Sequence, residues 1–244
     1  GGDAPLVAGH GQVQLVERVD DLESVRADLL AHPVGAQRVG GADDVLAVVD
    51  AIGARELVGA GHSMGGAALL LAEERRPGTF RALWCFEPIV MPPLGGDLDP
   101  EGNSLAVGAA RRREVFPSAQ AAIDNFASKP PLAYGRGGFE ELDDGSVRLR
   151  CRAADESRFY LMGGRHDAFD HLAAVACPVT VVQVRMDPGP AFLAGPVAER
   201  LPARHLEPRP EWSHFGPMED PVGVAASIRA ALGRDVAETV TGPT

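Results

Sequence analysis

The pentapeptide Gly61-His62-Ser63-Met64-Gly65 constrains this chain more than any other stretch, because of what flanks it. Ahead of it, Glu56-Leu57-Val58-Gly59-Ala60 is a short apolar run of strand length. Behind it, Ala67 to Arg76 is rich in Ala, Leu and Glu until Pro77-Gly78 stops it. The order strand, tight turn, helix gives each glycine a reason: a serine at such a turn holds a strained backbone, and side chains two residues to either side would collide. The turn lifts the hydroxyl above the sheet and sets the Met64 N–H at the positive end of the helix, where it can stabilise a developing oxyanion. With 29 glycines in 244 residues, a Gly-x-Ser-x-Gly pattern arises by chance in about one of eight such chains. The position between strand and helix therefore carries the reading, more than the pattern itself.

The same glycines admit a rival. Gly59-Ala60-Gly61 with Gly65 is a loosened form of the dinucleotide fingerprint, with Glu87 after the next strand as ribose ligand, which would make the chain a nucleotide-dependent oxidoreductase. Met64 stands where the strict form has its third glycine, and this counts against it.

A serine hydroxyl is inert near neutral pH without a base, and in sites of this kind the acid and then the histidine follow the serine along the chain. His214 has the right place, in Trp212-Ser213-His214-Phe215-Gly216-Pro217, just ahead of an amphipathic helix carrying Val222, Val224, Ala225, Ile228 and Leu232. The acid should end a strand between the two. Asp187, after Val179-Thr180-Val181-Val182-Gln183-Val184, is the first choice, although the same aspartate could simply form a turn ahead of Pro188-Gly189. Glu87, at the end of Ala82-Leu83-Trp84-Cys85-Phe86, is the competing acid. His62 shares the strained turn and reads as a packing and hydrogen-bonding neighbour of Ser63. His166 and His171 have no metal-site spacing, and Lys129, the only lysine, sits in a proline-rich loop.

Strand candidates alternating with helices, including an amphipathic one from Ala42 to Ile52 ended by Gly53, predict an α/β fold: a mostly parallel sheet with helices on both faces. Residues 1–90 and 177–244 form its core. Residues 91–176 lack the alternation, are punctuated by Pro92-Pro93, Gly95-Gly96, Pro130-Pro131 and Gly137-Gly138, and read as a partly helical cap insertion. Within it Ser118 caps a helix through Phe126, and Asp155 to Met162 forms another.

Together, Ser63 in its glycine turn, Asp187 after its strand and His214 before the last helix resemble the α/β-hydrolase family, in the branch of small esterase- and lipase-like enzymes with an inserted cap. The resemblance spans about residues 42 to 232. It implies cleavage of a carboxylic ester or related acyl compound through an acyl-enzyme, without cofactor or metal. Serine at the nucleophile position disfavours the dehalogenase and epoxide hydrolase chemistries of that family. Its second oxyanion N–H would come from the turn Gly9-His10-Gly11-Gln12, at Gly11 or Gln12, although the interval from His10 to His62 is short for the elements that usually intervene. That departure keeps a second possibility open, a non-catalytic ligand-binding protein on a hydrolase scaffold.

Composition bounds the partners. A net charge of -11 repels phosphate backbones and anionic lipid, so a small acyl substrate fits better than nucleic acid or a membrane. Three widely spaced cysteines, no apolar run of about 20 residues and no leader-like N-terminus point to free thiols and cytoplasmic residence.

Overall fold

The computed structural model describes residues 14–15, 40–53, 57–92, 103–126, 137–162, 168–186 and 189–240, with the backbone alone at 14–15, 40, 162 and 232–240. The chain divides into two compact units, Gly1–Val90 with Asp167–Thr244, and Met91–His166.

In chain order, the first unit begins with β1 (Gln14–Leu15), α1 (Gly40–Ile52), β2 (Leu57–His62), α2 (Met64–Arg75) and β3 (Phe80–Phe86). The buried residues of α1 are Ala42, Val45 and Val49, spaced three and four apart as one helical face requires. Gly53 ends α1 at φ 65°, its N–H reaching the Val49 carbonyl at 3.0 Å.

The second unit, inserted after β3, contains α3 (Ser104–Ala110), β4 (Val115–Phe116), α4 (Ala119–Phe126), β5 (Phe139–Glu141), β6 (Val147–Leu149) and α5 (Ala153–Met162). Asn103 caps α3 by accepting from the Ala106 N–H at 3.0 Å, and Ser118 accepts from the Ala121 N–H at the start of α4. The three strands pair antiparallel in the order β4-β6-β5 around Phe116, Ala122, Phe139, Val147 and Leu149. The sequence reading gave this unit helices but no sheet, because strands of two or three residues are too short to show a period.

The first unit resumes with α6 (Ala168–His171), β7 (Val179–Val184), α7 (Ala194–Arg200), β8 (Arg204–Arg209), α8 (Gly216–Glu219) and α9 (Pro221–Val240). The sequence reading assigns everything up to residue 176 to the insertion. The structure returns to the first unit at Asp167, because Ala168, Phe169, Leu172 and Val175 are buried in the same cluster as α1 and α2.

The main sheet runs β1-β2-β3-β7-β8, with β1 antiparallel and the other three pairings parallel. Its strands show the two-residue alternation of a sheet covered on both sides. Leu83, Cys85, Val179 and Val181 pack with α1, α2, α6 and α7, whereas Trp84, Phe86, Val182 and Val184 pack with Trp212 and with Val224 and Ala231 of α9. This is the α/β architecture the strand and helix pattern predicts. β8 escapes sequence reading because it is an edge strand among the described residues: four of its six residues are exposed, and Pro208 is tolerated where one side has no described pairing partner.

Candidate active site

Ser63 lies between β2 and α2 with φ 57° and ψ −118°, a left-handed conformation costly for any residue with a Cβ. The crowding predicted at Gly61 is present, and Gly66 shares it. A Cβ on Gly61 would come within 2.6 Å of the Gly66 nitrogen, and one on Gly66 within 3.1 Å of the Gly61 carbonyl oxygen and of Pro88. The strained turn is also tied to its neighbour strand, since the Ser63 N–H donates to the Phe86 carbonyl at 2.8 Å and the Ile89 N–H donates to the Ser63 carbonyl at 3.2 Å. Met64 is the first residue of α2, so its N–H is among the helix donors without an intrahelical acceptor.

His214 closes on this turn from the loop before α8. Its Nε2 lies 3.2 Å from Ser63 Oγ, and its Nδ1 lies 2.6 Å from Glu87 Oε2. A carboxylate only accepts, so Nδ1 carries the ring proton and Nε2 presents a lone pair to the serine hydroxyl. Glu87 is fully buried and itself holds an unusual backbone, with φ 46° and its N–H donating to the Val182 carbonyl at 3.1 Å. The histidine loop is braced on both sides. Ser213 donates through its hydroxyl to Glu219 at 2.6 Å and accepts from the Phe215 N–H, while Trp212 Nε1–H donates to Asp220 at 3.2 Å. Asp220 also accepts from the Gly223 N–H at 2.8 Å, capping α9.

The carboxylate on His214 is thus Glu87, where sequence reasoning preferred Asp187. Register supplies the reason: β3 is the immediate neighbour of β2, His62 is paired with Phe86, and the residue following Phe86 therefore emerges beside the nucleophile turn. Asp187 lies outside the described residues, as do Gly11 and Gln12. Glu87 is equally unsuited to the ribose-binding role of the dinucleotide reading, because it is inaccessible to solvent and occupied by His214. Its signal was available in the sequence as an acid at the end of the strand following the nucleophile helix.

No family model matches the chain, and no curated protein matches it. Its fold is nevertheless shared with solved structures. The peroxisomal alpha-beta-hydrolase Lpx1 from Saccharomyces cerevisiae aligns at 20% identity and TM-score 0.64, covering 85% of this chain and 63% of that one. A thermophilic esterase from Thermogutta terrifontis aligns at 20% identity and TM-score 0.59, covering 84% and 75%. E-2-(acetamidomethylene)succinate hydrolase aligns at 16% identity and TM-score 0.62, covering 82% and 75%. The chain has the α/β-hydrolase fold. It spans less than two thirds of the length of the Lpx1 chain.

Proposed function

We propose that this protein is a serine hydrolase that cleaves a carboxylic ester or a related acyl compound through an acyl-enzyme. The observation that carries the reading is the unbroken chain Ser63 Oγ, His214, Glu87, with contacts of 3.2 and 2.6 Å.

In this reading Ser63 Oγ attacks the acyl carbon as His214 Nε2 takes its proton, and the buried carboxylate of Glu87 stabilises the imidazolium that results. Negative charge collects on the former carbonyl oxygen, where the Met64 N–H at the head of α2 meets it. The tetrahedral adduct collapses, Nε2 returns the proton to the leaving alcohol or thiol, and Ser63 retains the acyl group. Water then enters by the same route: it gives a proton to Nε2, adds to the acyl carbon, and expels Ser63, which recovers the proton as the free acid leaves. The proton transfers use groups already in contact, Ser63 with His214 and His214 with Glu87. The family resemblance and the names of the structural neighbours, an esterase and hydrolases among them, support the acyl class of substrate. The net charge of -11 favours a neutral or cationic compound over a polyanion.

A panel of nitrophenyl esters with graded acyl lengths tests this directly. The reading predicts saturable release of nitrophenolate with a preferred acyl length, abolished by Ser63→Ala. A well-folded protein that turns over none of the esters, and shows no initial burst with any, would instead be a binding protein on a hydrolase scaffold.

A further inference from the structure

One hydrogen bond at the site joins parts of the chain that the reaction itself does not require to touch. His62 Nε2 lies 2.7 Å from the backbone carbonyl oxygen of His214, across 152 positions of sequence. A carbonyl oxygen only accepts, so His62 Nε2 carries a proton and donates. The His62 ring packs edge-on to Phe86 with centroids 5.5 Å apart and lies 4.5 Å from the ring of His214. Phe86 is fully buried and is also the register partner of His62 across the sheet, so the imidazole is wedged between a rigid strand and the histidine loop.

We infer that His62 is a positioning residue: its Nε2–H holds the backbone of His214 so that the catalytic ring sits in line between Ser63 and Glu87. This inference rests on the serine hydrolase reading for its kinetic consequence and on the 2.7 Å contact for its structural one. The side-chain contact to Glu87 fixes one edge of the His214 ring, but rotation about the loop backbone would still swing Nε2 off the serine. The bond from His62 fixes that backbone to the same strand end that carries Ser63. The nucleophile and its base therefore share one anchor, and a displacement of the order of 1 Å at such a contact costs about 10²-fold in rate. Three residues of one strand end and turn would then serve as anchor, nucleophile and oxyanion donor: His62, Ser63 and Met64.

The test compares His62→Phe, which keeps a planar ring but cannot donate, with His62→Gln, whose amide nitrogen reaches nearly as far and can. On an ester the native protein hydrolyses, His62→Phe should lower kcat by about 10- to 100-fold with KM changed less than about twofold, and His62→Gln should recover most of the loss. Equal rates for His62→Phe and the native protein overturn the inference while leaving the hydrolase reading intact. So do equal losses in the two variants. An inactive native protein overturns the hydrolase reading instead. Nitrogen NMR of the native protein tests the contact independently of activity and of how the variants fold: His62 should carry its proton on Nε2, and a His62 protonated on Nδ1 alone contradicts the inference.

Discussion

At the scale of the residue, the reactivity of Ser63 turns on which acid orients His214. One Nδ1–H has room for one acceptor at 2.6 Å, and Glu87 holds that place. Glu87→Gln should therefore lower kcat by about 10⁴-fold, as removal of the orienting carboxylate does in serine triads, while Asp187→Asn should change it by less than about tenfold. Steady-state kinetics on the two variants decides between them, and the opposite ranking would restore Asp187. Ser63 and His214 were legible in the sequence because each stands in a local pattern, a glycine turn and a loop before the last helix. For the acid the sequence offered both Asp187 and Glu87 and favoured Asp187, because any acidic residue ending a suitable strand satisfies the pattern. Strand adjacency is what brings Glu87 beside the nucleophile turn, and adjacency is a property of the sheet.

At the scale of the element, the turn from β2 to α2 is where strain is stored and where small changes should cost most. A Cβ on Gly61 meets backbone atoms at 2.6 and 2.7 Å, which cannot swing aside as a side chain would. Gly61→Ala should lower stability by about 1–3 kcal/mol, read as a lower urea midpoint, and should remove activity out of proportion because the turn that aims Ser63 must open. An alanine variant with native stability and rate would show that the turn has room for a methyl group at Gly61. The helices with an apolar face, α1 and α9, and the strands that are continuous apolar runs, β3 and β7, could be read from sequence. β8 and the three short strands of the inserted unit could not, since an exposed edge strand and strands of two or three residues leave no apolar alternation.

At the scale of the whole molecule, the three cysteines report on the packing of the core. Cys85 and Cys177 are buried and Cys151 is exposed, so a thiol reagent should titrate Cys151 alone in the folded protein and all three after unfolding. Burial, with the neighbouring Cys177 thiol adding to it, holds the Cys85 thiol far above its ordinary pKa of 9.0. The sign follows: the folded state keeps a proton that the unfolded chain releases from about pH 9 upward, so this contribution to stability is complete below that pH and is lost as the solution becomes more alkaline. Urea midpoints measured from about pH 8 to pH 10.5 should fall, and Cys85→Ala should flatten the decline. A decline as steep in the alanine variant would assign it to other groups.

The central claim is that His214 and Glu87 make Ser63 a nucleophile. Its most direct measurement is mass spectrometry of the protein after exposure to a fluorophosphonate. The account predicts a single adduct, mapped to the peptide containing Ser63, absent in Ser63→Ala and formed about 10³-fold or more slowly in His214→Ala. A folded protein that stays unlabelled at Ser63, or one labelled as quickly without His214, would contradict it.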